Sequence, residues 1–216
     1  MRVPLRDVIA DDLRNQIIIG TLRPGERILE EQIAAAHGVS RVPVREAMRR
    51  LEAEGYLALT PFRGATVTAP STNAAVELMQ IRRALEGLAA RLAAARQGGE
   101  LAGALQAVVD KGRRAISARR VKHLPELIEE FHDLVVRASG NQELIELLGH
   151  VRSKVRWVFD MDVEERADSS WHDHEMILQA IVDGDAHTAG VLMDAHVAKD
   201  EQVYRSKVET LTSADE

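Results

Sequence analysis

The sequence predicts a mainly α-helical protein of two parts, a small N-terminal unit that closes with a β-hairpin and an all-helical C-terminal bundle. Aromatic residues make up only 3% of the 216 residues, while alanine and leucine are abundant, which favours packed helices over sheet. Residues 1–70 hold ten arginines and nine acidic residues, which gives a net charge of +1. Because the whole chain has a net charge of −6, residues 71–216 carry −7. A near-neutral first part and an acidic second part indicate two domains with separate tasks.

The first seventy residues combine helical patterns with turn residues. Gly20 ends the first helical pattern, and Pro24-Gly25 fits a type II turn. Gly38 lies in a tight turn just before Ser40, the expected N-cap of the following helix. We predict helices over residues 5–19, 30–37 and 41–54 and strands over residues 57–60 and 65–68. Helix, helix, turn, helix and hairpin is the order of a winged helix-turn-helix, which we assign to residues 1–70.

From residue 71 onward, the apolar residues keep a helical period to the end of the chain. The pattern is interrupted at Gly98, Gly140 and Gly184, where short loops are expected. We predict helices over residues 72–97, 100–119, 123–139, 142–160, 165–184 and 186–210. Helices joined by such short loops form an antiparallel bundle of about six, the fold predicted for residues 71–216.

The composition also excludes several kinds of site. The chain has no cysteine, so disulfides and thiolate zinc sites are excluded. The N-terminus lacks the apolar run of a signal peptide, and no stretch approaches the roughly 20 apolar residues of a membrane span. We therefore expect a soluble, cytoplasmic protein without a membrane partner.

The predicted helix over residues 41–54 carries two stripes of side chains. The apolar stripe, expected to be buried, comprises Val44, Ala47, Met48 and Leu51. Arg41, Arg45 and Arg49 follow one another at intervals of four, which places them together on an adjacent, outward face. Arginines on a second helix that follows a glycine turn suit the DNA major groove, where they contact guanine or phosphates. The alternative is a solvated face on which Glu46 and Glu52 pair with the arginines.

The N-terminal part also resembles a known family. The run RPGERILEEQIAAAHGVSRVPVREAMRRLEAEGYL and the later PFRGATV closely resemble the DNA-binding domain of GntR-family regulators of the FadR-like branch. The resemblance implies that a homodimer contacts palindromic, double-stranded operator DNA through Arg41, Arg45 and Gly64. Ser40 and Arg63, the latter at the tip of the predicted wing, are further candidate contacts.

The resemblance departs from the family pattern at one position of this surface. Glu31 stands where some family members have an arginine that contacts DNA, so the resemblance does not imply a particular operator sequence. Arg49 is added to the candidate DNA contacts because it lies on the same outward stripe, one turn after Arg45.

Three of the eight histidines, His132, His174 and His196, lie among apolar residues on the inward faces of three different predicted helices. A single histidine in such a place is more often a hydrogen-bonded core residue than a ligand. Three buried imidazoles are harder to satisfy in that way, because buried polar groups need partners. Three neutral nitrogens around a divalent cation, with a position open for water or ligand, would satisfy all of them.

The C-terminal part resembles the ligand-binding FCD domain of the same regulators, through MQIRRALEGLAARLAA, FHDLVVRASGN and HEMILQAIVDGDAHTAGVLMDAHV. Many such domains hold a metal with one Asp and three His, and the resemblance assigns His132, His174 and His196 to the three histidines. Ile128 occupies the Asp position and cannot bind a metal. The resemblance thus implies a three-histidine site for a divalent metal such as zinc, with a metal-free pocket as the alternative.

Arg82 falls on the apolar face of the first helix of this domain, between Leu78 and Leu85. A cation that faces a core needs an anion. Two anions compete as the explanation: Glu86 at i+4, or the carboxylate of a small organic-acid effector held by Arg82 together with the metal.

Three functions follow as hypotheses. The first is a transcriptional regulator, expected to be a repressor, whose operator affinity depends on a small carboxylate effector. The second is a metal-dependent enzyme that uses the three histidines, although no HExxH or comparable motif supplies a general base. The third is an architectural DNA-binding protein with an inert helical domain. The sequence favours the first hypothesis and a non-enzymatic protein.

Overall fold

The computed structural model describes residues 3–60, 64–69, 72–120, 124–158 and 167–214. By internal contacts the chain falls into two compact units. The first comprises Met1–Ser71 together with Arg156–Val158, and the second comprises Thr72–Val155 and Phe159–Glu216.

The first unit contains three helices and a small antiparallel sheet. The helices are α1 (Leu5–Ile18), α2 (Glu30–His37) and α3 (Arg41–Ala53), and the strands are β1 (Arg27–Ile28), β2 (Leu57–Thr60) and β3 (Gly64–Val67). The sheet order is β1-β3-β2, with Ile28 and Leu59 both paired to Ala65. The sequence predicted the hairpin of β2 and β3 but missed β1, because a strand of two residues is too short to show an alternating pattern.

The core of this unit forms where α1 and α3 pack together against the sheet. The apolar stripe predicted for α3 is confirmed: Val44, Ala47, Met48 and Leu51 are at most 1% exposed. Their main partners on α1 are Ile9, Leu13 and Ile17. The burial of this stripe fixes the rotation of α3 and so leaves the arginine stripe outside.

Two glycines of this unit are required by the backbone. Gly25 has φ +83°, and the Glu26 N–H donates to the Arg23 carbonyl at 2.9 Å, which makes the predicted type II turn. Gly64 has φ +84°, and a Cβ atom there would lie 2.4 Å from the backbone oxygen of Ile28. Gly64 therefore lets β1 and β3 approach at the base of the wing.

The second unit is an all-helical bundle, as predicted. Its helices are α4 (Thr72–Ala95), α5 (Ala102–Ser117), α6 (Leu124–Ala138), α7 (Gln142–Val158), α8 (Ala167–Val182) and α9 (Ala186–Ala214), and a 3-10 turn, Gly99–Leu101, leads into α5. Their bounds differ from the predicted ones mainly at the ends, as expected where helix termini are defined by capping. Within the described residues, no helix is long and apolar enough to span a lipid bilayer.

The bundle core is built around α4, which packs against α6, α8 and α9. Phe131 of α6 and Ile177 of α8 are fully buried in this core. Trp171 and Leu124 are buried together in a neighbouring apolar cluster. Helix α5 passes close to the Trp171 ring at Gly112, where no side chain separates the two. This packing places the inward faces of α4, α6, α8 and α9 around one polar cluster in the middle of an otherwise apolar core.

Candidate functional site

A groove of about 820 Å³ opens on the first unit between α2, α3 and the sheet. Arg41, Arg45, Arg49 and Gly64 all line it, so four of the predicted DNA contacts share one surface. Ser40 is exposed at the N-cap position of α3, but its side chain makes no capping hydrogen bond, contrary to the expectation for this residue. Arg63 lies outside the described residues.

Two arginines of this groove pair with acidic residues of α2. Arg45 donates from Nε and Nη2 to the two carboxylate oxygens of Glu30, at 2.9 and 2.8 Å, and Arg41 donates from Nη2 to Glu31. The Arg45 hydrogen bond lowers the pKa of Glu30, so this carboxylate is ionised at neutral pH.

The partners expected from sequence were different, because the solvated-face alternative paired the arginines with Glu46 and Glu52. Glu46 instead lies 3.7 Å from Arg6, and Glu52 accepts the backbone N–H of Leu59 at 3.0 Å. The spacing of residues within α3 did not reveal these partners, because they lie on α2, and α2 and α3 meet only after the turn between them has folded.

The second unit brings the three predicted histidines together. His132 comes from α6, His174 from α8 and His196 from α9, and the ligand atoms available on the three rings all lie within 4.8 Å of one another. The Nε2 atom of His196 is 3.2 Å from the Nε2 atoms of both His132 and His174. All three side chains are at most 1% exposed.

These nitrogen separations suit the ligands of one metal ion. With Zn–N bonds of about 2.0–2.1 Å, two nitrogens at right or tetrahedral angles lie about 2.8–3.4 Å apart. Both Nε2 distances from His196, at 3.2 Å, fall inside that interval. The described residues contain this one group of three or more candidate ligands, and it consists of histidines alone.

Two of the histidines have a carboxylate behind them. His132 Nδ1 lies 2.6 Å from an oxygen of Glu86, and His196 Nδ1 lies 3.2 Å from an oxygen of Asp173. An ionised carboxylate can only accept, so Nδ1 carries the proton in the neutral ring and Nε2 presents a lone pair. Two lone pairs that face each other across 3.2 Å call for a proton or a cation between them, and such carboxylate–histidine pairs are typical of metal sites.

The titration properties of His132 and His174 favour neutral imidazoles. Burial lowers the pKa of His132 despite the opposing effect of Glu86, and burial lowers the pKa of His174 well below its usual value. Burial alone would raise the pKa of Asp173, but hydrogen bonds from His196 and Lys199 bring it down to about 2. Neutral rings backed by ionised carboxylates are the state in which histidine binds metals.

His174 differs from the other two histidines. Its Nδ1 atom is buried without a hydrogen-bond partner among the described residues. The ring is held by aromatic packing instead: Phe131 stacks on it at 4.3 Å between centroids, and Trp171 meets it nearly edge-on at 5.0 Å. Apolar contacts therefore set the direction of this candidate ligand.

Ile128, which replaces the aspartate of the family pattern, lies in apolar surroundings. Ile128 is half-buried and packs against the cluster of Leu124 and Trp171, where an aspartate would be needed for a fourth protein ligand. A metal held by the three histidines would keep further coordination positions open for oxygen ligands from outside the chain.

Arg82 pairs with Glu86, the i+4 alternative considered from sequence. Its Nε donates to Glu86 Oε1 at 2.8 Å, and the two side chains are 4% and 1% exposed, so the pair is buried rather than on the surface. Burial would raise the pKa of Glu86, but the positive charge of Arg82 and the hydrogen bond from His132 outweigh it and hold that pKa well below its usual range. Glu86 thus joins Arg82 to the histidine cluster.

Glu86 and Asp173 belong to the site but were not singled out as partners of the histidines from sequence. Glu86 carried one signal, a carboxylate one turn after an arginine on a buried helical face. Asp173 carried none, because it precedes His174 in sequence but contacts His196, which lies on another helix.

Comparisons with known proteins agree with this architecture. A family model described as bacterial regulatory proteins, gntR family, matches residues 5–67, and an FCD domain model matches residues 77–199. The Nta operon transcriptional regulator of Aminobacter aminovorans is 31% identical, over 82% of this chain and 83% of its own length. A probable D-xylose utilization operon transcriptional repressor of Paenarthrobacter nicotinovorans is 32% identical, over 89% of this chain and 87% of its own.

Solved structures show the same fold. Escherichia coli McbR/YncC superposes with a TM-score of 0.76 over 95% of this chain and 99% of that one, at 21% identity. A putative transcriptional regulator GntR from Rhodococcus sp. RHA1 superposes with a TM-score of 0.69 over 93% and 97% of the two chains, at 26% identity.

These relatives are transcriptional regulators and not enzymes, which removes the three-histidine enzyme considered from sequence. The match to the FCD model covers more than half of the chain, and two relatives above 30% identity match it over most of their length. The chain therefore belongs to the GntR family of bacterial transcriptional regulators and carries an FCD domain after its winged helix-turn-helix.

Proposed function

We propose that this regulator binds a palindromic operator as a homodimer, through the winged helix-turn-helix of residues 1–70. The proposed DNA contacts are Ser40, Arg41, Arg45, Arg49, Arg63 and Gly64. Support comes from the groove in which Arg41, Arg45, Arg49 and Gly64 share one exposed surface. Helix α3 is the second helix of the motif, and its equivalents enter the major groove. A two-fold symmetric dimer would present two such surfaces to two half-sites.

The FCD domain, residues 71–216, is proposed to sense a small carboxylate effector with the help of a divalent metal, for which zinc is the first candidate. His132, His174 and His196 would hold the ion. The convergence of their nitrogens in the core, with carboxylates behind two of the rings, is the observation that carries this proposal. When bound, the metal supplies a Lewis-acidic centre with positions open to an oxygen ligand.

Arg82 is proposed as a second anchor for the effector carboxylate. The bond to Glu86 engages Nε of its guanidinium, and the same Glu86 contacts His132, so Arg82 and the histidine cluster form one connected network. An anion that entered beside this network would meet a buried guanidinium and the open face of the metal site together.

Control of transcription follows from linkage between the two sites. If the effector favours one arrangement of the domains and the operator favours another, each ligand lowers the affinity for the other by the same factor. We propose repression that the effector relieves, in line with the relative from Paenarthrobacter nicotinovorans, which is described as a probable repressor.

The metal and effector are tested by measuring bound metal in the purified protein and its thermal unfolding with a panel of small carboxylic acids, before and after chelation. A ligand present at 100 times its Kd raises the free energy of unfolding of the protein by about 2.7 kcal/mol. We expect stoichiometric divalent metal, a melting temperature that falls on chelation, and at least one acid whose stabilisation requires the metal. His174→Ala should lose all three properties.

A matched control is His150→Ala, which removes an exposed histidine whose Nδ1 lies 2.9 Å from the backbone oxygen of Glu146 within α7. This variant should keep the metal and the response to acids. Absence of metal from wild type, even after incubation with zinc, would contradict the metal proposal. An acid that stabilises the chelated protein equally well would contradict the role of the metal in effector binding.

A further inference from the structure

Arg45 is held in a fixed orientation by a residue from another helix. Its Nε and Nη2 atoms donate to the two oxygens of Glu30 at 2.9 and 2.8 Å, which is a bidentate pair. Such pairs add geometric specificity as well as energy, because the planar guanidinium and the planar carboxylate must be aligned. The contact of Arg41 with Glu31 runs through one nitrogen only and fixes its guanidinium less.

The bidentate pair leaves one edge of the guanidinium for another ligand. Glu30 takes the side edge of Arg45, formed by Nε and Nη2, whereas the end edge formed by Nη1 and Nη2 donates to no other side chain within the described part of the chain. That end edge carries two parallel N–H groups, which match the O6 and N7 atoms of guanine. The Arg45 side chain is 54% exposed and lines the groove, so the edge is accessible.

A carboxylate beside a DNA-binding arginine has a further effect. Glu30 repels phosphates, and it occupies the side edge with which Arg45 could otherwise clamp the DNA backbone. The same guanidinium without Glu30 would be free to move to the nearest phosphate, where its contact would carry no information about sequence.

The position of Glu30 allows a simpler explanation that has to be separated from this one. Glu30 is the first residue of α2, and a negative charge at a helix N-terminus is favourable in any protein. That role needs the charge alone and is indifferent to the alignment of Arg45.

We propose that Glu30 is a positioning residue for sequence readout, which aligns Arg45 with a guanine in each operator half-site and keeps it from the phosphates. The inference rests on the proposed contact between Arg45 and DNA. It predicts that Glu30 determines specificity while slightly opposing non-specific affinity.

The experiment first selects bound sequences from a random duplex DNA library with wild type, Arg45→Ala, Glu30→Gln and Glu30→Asp. The affinity of each protein is then measured as a function of salt concentration for two duplexes. One is the selected duplex, and the other has the guanine proposed to contact Arg45 replaced by another base. Glu30→Asp keeps the charge at the helix N-terminus but shortens the side chain. Glu46→Gln is the control, because it removes the same charge from α3 at a separate depression lined by Arg6, Asp7 and Arg50.

We expect wild type to prefer the guanine by on the order of tenfold or more, as a bidentate arginine contact does, and Arg45→Ala to lose this preference. Glu30→Gln and Glu30→Asp should both lose most of it. In Glu30→Gln the slope of log affinity against log salt should steepen by about 0.9 for each protomer, which corresponds to one additional phosphate contact in each half-site. Glu46→Gln should keep the wild-type preference and slope.

The outcomes separate this inference from the proposed function. If wild type selects no sequence, sequence-specific DNA binding itself fails. If wild type selects a site whose guanine depends on Arg45, but Glu30→Gln retains the preference, Glu30 has no positioning role. If Glu30→Asp retains the preference that Glu30→Gln loses, the charge suffices and the bidentate geometry is irrelevant.

Discussion

Gly112 gives the most demanding test of how the bundle supports the histidine cluster. A Cβ atom at this position of α5 would lie 1.8 Å from Cζ2 and 1.9 Å from Cε2 of Trp171. Carbon atoms in contact are about 3.5–4.0 Å apart, so the Gly112→Ala variant requires the Trp171 ring to move by about 2 Å. The ring is 2% exposed, and its Nε1 donates to the Val109 backbone oxygen at 3.0 Å, so it has little room to move.

The magnitude follows from three effects. Overpacking costs about 1–3 kcal/mol, and a broken buried hydrogen bond costs about 1–3 kcal/mol. Replacing glycine by alanine within a helix raises the free energy of unfolding by up to about 1 kcal/mol, which partly offsets these losses. We therefore expect Gly112→Ala to lower the free energy of unfolding by about 1–5 kcal/mol, or roughly 2–20 °C in melting temperature at this chain length.

The assay is thermal unfolding with and without added zinc, alongside measurement of bound metal. Trp171 packs edge-on against His174, so its displacement should also reduce the stabilisation that zinc provides. Gly149→Ala is the control, since among the described residues no heavy atom beyond its own stretch of helix lies within 4 Å of a Cβ there, and α7 should gain stability. A Gly112→Ala protein as stable and as metal-rich as wild type would refute the reasoning.

Three other substitutions test separate parts of the structure. Glu86→Gln removes the carboxylate that accepts the hydrogen bond of the buried Arg82, so it should lower the unfolding free energy by about 3–5 kcal/mol in denaturant titrations and weaken zinc binding about 10–100-fold. An unchanged zinc affinity would contradict the role of this carboxylate. Gly64→Ala should lower the free energy of unfolding by at least about 1–2 kcal/mol and weaken DNA binding, because φ is +84° and the Cβ atom would meet the Ile28 oxygen. A melting curve identical to that of wild type would contradict this prediction. Burial would raise the pKa of Glu54, but two arginines hold it below its usual value, so its stabilisation is complete above the unfolded-state pKa and lost as pH falls through the folded-state pKa. Unfolding titrations of Glu54→Gln should therefore show a shallower loss of stability below about pH 4.5 than wild type, and equal slopes would count against the ion pairs.

The helices could be predicted almost to the residue where local chemistry ends them. Gly38 takes a left-handed conformation with φ +63° at the end of α2, and Gly20 and Gly184 are also left-handed just beyond α1 and α8. Such glycines mark boundaries in the sequence because the conformation disfavours other residues. Strand β1 could not be predicted, because only its pairing with β3 makes it a strand.

The candidate site could be predicted only in part, for a related reason. The histidines were recognisable because each lies on an apolar helical face, a local property. Their carboxylate partners, Glu86 and Asp173, are 46 and 23 residues away from the imidazoles they contact. The pairing of Arg45 with Glu30 likewise joins two helices. Contacts of this kind depend on how elements pack, and no periodicity within one element reveals them.

We propose that the histidine cluster of the FCD domain controls the affinity of the winged helix-turn-helix for DNA. The most direct test titrates the operator selected from a random library with wild type and His174→Ala, each with and without zinc and the acid found by thermal unfolding. We predict that zinc and acid together change the operator affinity of wild type by about 5–150-fold, that the operator changes the affinity for the acid by the same factor, and that His174→Ala shows neither effect. Equal operator affinity in every condition, with zinc and acid demonstrably bound to wild type, would contradict the claim.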